Sequence, residues 1–106
     1  MNRYGILLCA VALAGSCMVQ IALAEPAPGA AGFEANCAEC HPGGRNIVTP
    51  AKDLRTLTLK ANGIVTPRDI VAKMRKPGPG MMKFSSQELP DKEALEIAEY
   101  VLATFK

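Results

Sequence analysis

Cys37-Ala38-Glu39-Cys40-His41 is the stretch on which the reading of this chain turns. Two thiols three residues apart, followed at once by an imidazole, form the C-x-x-C-H attachment signature of a c-type haem. Each thiol can add to one vinyl group of the porphyrin, and the adjacent histidine is placed to put a ring nitrogen on the iron. His41 is the single histidine among 106 residues, which makes it the one candidate proximal imidazole. Two other chemistries use paired cysteines. A structural zinc site needs about four Cys or His ligands, and the remaining cysteines, Cys9 and Cys17, lie in a segment expected to be removed. A redox dithiol has no use for the adjoining histidine and belongs in a βαβ pattern, of which the sequence gives no sign.

Residues 1–24 read as a secretory signal peptide. Arg3 supplies the positive start, an apolar stretch runs from Ile6 to Ala14, and Ala22-Leu23-Ala24 is an A-x-A cleavage site. Gly15-Ser16 and Gln20 interrupt the apolar run, which makes a full membrane span of about 20 residues poor. Ala14-Gly15-Ser16 before Cys17 is a weak lipoprotein processing signal, since a large aliphatic residue three positions before the cysteine is missing. Cleavage after Ala24 leaves a mature chain at 25–106, with the haem pair as its only cysteines. Export to a bacterial periplasm fits haem attachment, which occurs there outside the cytoplasm. So short a chain has a marginal core of its own. The porphyrin would supply the missing apolar mass, and the haem-free chain is expected to be largely unfolded.

Charge in the mature part is nearly balanced but uneven. Nine basic residues fall between Arg45 and Lys83, against Asp53 and Asp69 alone. The last segment carries Glu88, Asp91, Glu93, Glu96 and Glu99 against Lys92 and Lys106. One reading is a basic docking face for an acidic redox partner; the other is ordinary solvated helix faces. Basic residues interleaved with aromatics are missing and there is no Trp, so nucleic acid is not an expected partner.

The pattern predicts an all-α domain of about four short helices around one haem. A helix is expected over about Ala30 to Glu39, with Gly29, Phe33 and Cys37 on one face. Gly29 would allow close helix approach and Phe33 would pack in the crossing. Pro42 to Asn46 is a loop by composition. A short helix is expected within Lys52 to Asn62, stopped by Gly63, although Leu57-Thr58-Leu59 alternates as a strand does. Thr66-Pro67-Arg68-Asp69 is a helix start with a Thr cap, Pro at the first position and an acid three residues on. That helix turns Ile70, Val71 and Met74 inward and ends before Pro77. The last helix begins near Leu89-Pro90-Asp91, with Ala94, Ile97, Ala98, Val101 and Leu102 as its stripe and Tyr100 at the edge.

A six-coordinate iron needs a ligand across the ring, and histidine is excluded by count. Methionine is the natural choice, because a soft neutral thioether favours Fe(II) and raises the potential. Met74 sits on a helix stripe and reads as core. Met81 and Met82 follow Pro77-Gly78-Pro79-Gly80, where the backbone can be aimed at the iron.

With these residues in place, the chain resembles the small class I cytochromes c, most closely the c6/c553-like group, over nearly all of residues 29–106. Gly29, Phe33 and Cys37 match the family's first-helix spacing. The run from Cys40 through Leu54 is similar to the c6-type C-H-x-G-G-x-N-x-x-x-P-x-K-x-L. The resemblance implies that the Pro50 carbonyl accepts the second ring N–H of His41, a bond that fixes ring orientation. It also implies a distal methionine in a Met-Pro-x-Phe loop. Met81-Met82-Lys83-Phe84 keeps the Met-x-x-Phe spacing and favours Met81, whereas counting back seven from Leu89 gives Met82. The missing Pro after the methionine and the missing Trp depart from the family pattern. Propionate neutralisation would then fall to groups such as Lys52 and Arg55.

The expectation is an exported single-haem carrier that moves one electron at a time between transient protein partners and catalyses nothing itself. The mature chain should not insert stably in a membrane. The rival is a haem sensor or haem enzyme with an open distal position, which would need an acid–base group near the iron where no second histidine exists. A haem subunit of a larger complex is a third reading.

Overall fold

The computed structural model describes residues 15, 17–21 and 25–106. The positive start, the apolar run to Ala14 and the cleavage site at 22–24 lie outside the described residues. Within them the chain forms four helices and no strand: α1 (Ala30–Asn36), α2 (Thr56–Ala61), α3 (Pro67–Arg75) and α4 (Asp91–Thr104), with a 3₁₀ turn at Pro42–Gly44. None of the described helices is long and apolar enough to cross a membrane.

α4 is the centre of the packing. Its Ala94, Ile97, Ala98 and Val101 are all but solvent-free, as the 3.6-residue periodicity of its apolar stripe requires. α1 crosses it where Gly29 and Gly32 lie. A Cβ on Gly29 would collide with the backbone of Glu96, and one on Gly32 would come within 2.9 Å of the Ile97 side chain. Gly29 also sits at φ +83° as the residue capping α1. Phe33 fills the crossing at 1 % exposure. Its ring centroid lies 5.5 Å from Tyr100 and 5.3 Å from Phe105, the separation at which tilted aromatic pairs attract.

α3 opens on the expected capping box. The Thr66 hydroxyl accepts from the Asp69 amide, and the Asp69 carboxylate accepts from the Thr66 amide. Ile70 and Met74 point into the core, so Met74 is core as its stripe position indicates. α2 resolves the helix-or-strand ambiguity in favour of helix: Leu59 is buried while Leu57 is exposed. It ends through Gly63 at φ +74°, with the Gly63 amide on the Lys60 carbonyl and the Ile64 amide on the Leu59 carbonyl, the paired bonds of a glycine stop.

α1 is shorter than expected. It closes at Asn36 rather than Glu39, and Cys37 to Cys40 form a turn in which the amides of Cys40 and His41 both point to the Cys37 carbonyl, at 3.2 and 2.8 Å. The tightening reflects the chain's need to double back into the 3₁₀ turn directly after His41.

Candidate haem and iron site

Cys37 and Cys40 project from that turn in unequal surroundings. Cys37 is half-buried against the core and Cys40 is exposed. Burial pushes the Cys37 thiol up to about 11, so it is a neutral thiol at pH 7. Neither cysteine is in a disulfide. No group of three or more His, Cys, Asp or Glu among the described residues converges to hold a metal ion.

His41 is oriented by the backbone that follows it. Its Nδ1 lies 2.9 Å from the Arg45 carbonyl. A carbonyl can only accept, so Nδ1 carries a proton, and in the neutral ring Nε2 then holds the lone pair that a metal needs. Pro50, expected as the acceptor of this bond, is not its partner in the structure. Gly43 and Gly44 both adopt positive φ, +60° and +80°, and so fold the carbonyl four residues on back to the ring. Pro50 instead lines a neighbouring recess with Arg45, Ile47 and Arg55. Gly44 is buried, and a Cβ there would meet the Phe105 ring at 2.5 Å. The Leu54 amide donates to the Gly44 carbonyl at 2.7 Å, and the Thr56 amide and hydroxyl both donate to the Phe105 carbonyl. The histidine turn is thereby fastened to the far end of α4.

Asn46 organises the next segment, a role the sequence reading did not assign. Its Oδ1 accepts from the amides of Val48 and Thr49, and its Nδ2 donates to the Lys52 carbonyl at 2.8 Å. An Asn two residues after Gly43-Gly44 in a loop is the signal that identifies it, since its side chain bonds backbone a few residues on.

A cavity of about 310 Å³ brings the predicted residues together. Cys37, Cys40 and His41 line it, and so do Met81 and Met82. The core side chains Phe33, Leu59, Ile97 and Val101 supply apolar walls. Met81 is 38 % exposed and Met82 70 %. Val48 meets the Met loop at Gly80, where a Cβ would lie 2.9 Å from the Val48 side chain. Two thiols, an imidazole with its lone pair free and thioethers, all around one apolar chamber, fit a covalently attached porphyrin. Lys52 lines the cavity as expected, but Arg55 does not. It stands beside Asp53 at 4.0 Å in the adjacent recess. Lys73 and Asn62, unassigned from sequence, line the cavity as well.

Residues 24–101 match the family described as cytochrome c oxidase, cbb3-type, subunit III. The chain is 38 % identical to cytochrome c6 of Cyanidioschyzon merolae over 90 residues, 85 % of each protein. Among solved structures it is similar to the outer membrane cytochrome OmcF of Geobacter sulfurreducens, at 47 % identity and TM-score 0.72, covering 74 % of this chain and 99 % of that one. It is similar too to cytochrome c6 of the diatom Phaeodactylum tricornutum, at 36 % identity and TM-score 0.66, covering 72 % and 88 %.

Proposed function

This chain belongs to the small monohaem c-type cytochromes, electron carriers with one covalently bound haem c, and we propose that it is an exported carrier whose iron is held by His41 and Met81. Cys37 and Cys40 form the two thioethers. Met82 is the alternative distal ligand. Residues 1–24 direct export and 25–106 form the haem domain in the periplasm. The shared cavity is the observation that supports this most directly: the thiols, the His41 ring and the Met loop all open on it. The smaller exposure of Met81 favours it over Met82.

When bound, the haem supplies a one-electron Fe(III)/Fe(II) couple. The chain's residues do the rest. The thiols tether the ring, and the Arg45 carbonyl fixes the His41 tautomer and orientation. A methionine thioether favours the reduced iron. The apolar walls would limit solvent at the ring, and His41 and Met81, held by their turns, would have little to rearrange when an electron passes. The exposed Arg45, Lys52, Lys73 and Lys83 suit brief docking to an acidic redox partner, in an interface of the small class. The chain catalyses no reaction of its own, and nucleic acid is not a partner.

An optical spectrum of the exported protein, oxidised and then reduced, tests this. A c-type reduced spectrum with a far-red ferric sulfur band is expected. Met81→Ala should abolish the band and lower the potential, while Met82→Ala keeps both. A spectrum without the band, with carbon monoxide bound to the reduced form, would replace this reading with an open-site sensor or enzyme.

A further inference from the structure

We propose that Arg75 is a positioning residue for the distal methionine, clamping the loop that carries Met81 and Met82 to the ends of α3 and α4. The proposal rests on the reading that one of these methionines is the second iron ligand. Arg75 lies in the last turn of α3, yet its side chain is only 23 % exposed. Its Nη1 donates to two carbonyls, Phe84 at 3.2 Å and Ser85 at 3.0 Å. Its Nη2 donates to Asp91 Oδ1 at 2.6 Å, at the start of α4. The Phe84 amide returns a bond to the Met74 carbonyl at 2.9 Å. The stretch that leaves α3 is thus fastened, where it re-enters the core, to the same helix turn it departed from.

The loop between has little hold of its own. Pro77 and Pro79 have no amide to donate. The bond inside it, from the Met81 amide to the Gly78 carbonyl, is long at 3.4 Å. The aim of a methionine in such a loop is set by the anchoring of its ends. A guanidinium serves this as an ammonium does not, because a planar fork can hold carbonyls and a carboxylate at once in fixed directions. An arginine serving only the helix dipole at that terminus would have no need to be sequestered from solvent or to reach across to Phe84.

The test uses the holoprotein and two readouts. One is the rate at which external imidazole displaces the methionine from ferric iron, which is set by loop opening. The other is amide hydrogen exchange across residues 78–84. Arg75→Gln should speed imidazole entry by about tenfold or more, as loss of charge-assisted bonds allows, and should speed exchange in the loop while α1 is unchanged. Arg75→Lys should recover only part of the difference. Asp91→Asn should stay within about threefold of wild type, since both carbonyl bonds survive. Wild-type values for both readouts in Arg75→Gln, with only overall stability lowered, would overturn the proposal and leave Arg75 as a plain tie between helices. Full recovery by lysine would overturn it too. If Arg75→Gln does not yield folded holoprotein, Arg75→Lys decides: raised values support the clamp and wild-type values reject it. Absence of the far-red band in the wild type would remove the ligation reading and the proposal together, whereas the band with no response in the variants removes the proposal alone.

Discussion

Gly29 and Gly44 show how much single positions decide. Each holds a backbone conformation at positive φ, +83° and +80°, and each is pressed against a neighbour, the Glu96 backbone in one case and the Phe105 ring in the other. Alanine at either site meets both left-handed strain and a steric clash. Gly29→Ala should lower stability by about 2 kcal/mol or more, read from denaturant unfolding of the holoprotein. Gly43 adopts a similar φ with open space around it, so Gly43→Ala should cost less, about 1 kcal/mol. Equal losses at Gly29 and Gly43 would mean that the helix crossing contributes nothing to the effect.

α3 is the element with the clearest local grammar. Its capping box satisfies amides at the helix start that have no partner within the helix. Thr66→Ala should cost about 1 kcal/mol, measured by thermal or chemical unfolding. The same motif sets a pH dependence. Asp69 is held below the ordinary carboxylate range, first by the Thr66 amide, then by the Val65 amide and the Thr66 hydroxyl. A carboxylate whose folded pKa is depressed stabilises above its unfolded value, about 3.9, and that stabilisation is lost as pH falls through the folded value. Glu88, held down by the Ser85 amide and hydroxyl, has the same sign. Asp69→Asn should therefore flatten the acid limb of the stability profile while changing little of its slope near neutrality. An acid limb as steep as the wild type's would show that other carboxylates set it. In the Met loop, by contrast, propensity alone decides little, because its two prolines and its glycines fix where the chain cannot be helical without saying what holds the loop in place.

At the scale of the molecule, the fully buried side chains are few: Phe33, Leu89 and Ile97 are the largest. All three line the cavity that would receive the porphyrin. A core that surrounds its cofactor loses contacts on one side when the cofactor is missing. A chain with Cys37→Ala and Cys40→Ala, which cannot hold haem covalently, should show strongly reduced helical circular dichroism and a broad unfolding transition. A full helical signal with a sharp transition would mean that the polypeptide core suffices. If the exposed Arg45, Lys52, Lys73 and Lys83 dock an acidic partner as proposed, electron transfer to it should slow as salt rises, because screening weakens attraction beyond about 8 Å at physiological ionic strength. Transfer that is indifferent to salt would assign those lysines to ordinary solvated surface.

What the sequence determined by itself was chemistry that is local in the chain. The thiol pair and histidine, the Thr66 start of α3, the Gly63 stop of α2 and the stripe of α4 depend on residues within a few positions of one another, so spacing alone reveals them. The close approach at Gly29 was also legible, because Gly29 falls on one helix face with Phe33 and Cys37, where the missing side chain lets a neighbour come near. Tertiary structure decided what depends on where loops fold. The His41 ring meets the Arg45 carbonyl and not Pro50, because two glycine φ angles set the turn. Lys73 and Asn62 reach the cavity and Arg55 does not. Arg75 reads in sequence as one more basic residue at a helix end, and only the folded chain brings Phe84, Ser85 and Asp91 to its guanidinium. The His41 and Arg75 side chains end mostly on backbone carbonyls, at Arg45, Phe84 and Ser85, which every residue carries alike, so the acceptor's residue type does not announce the contact in the sequence.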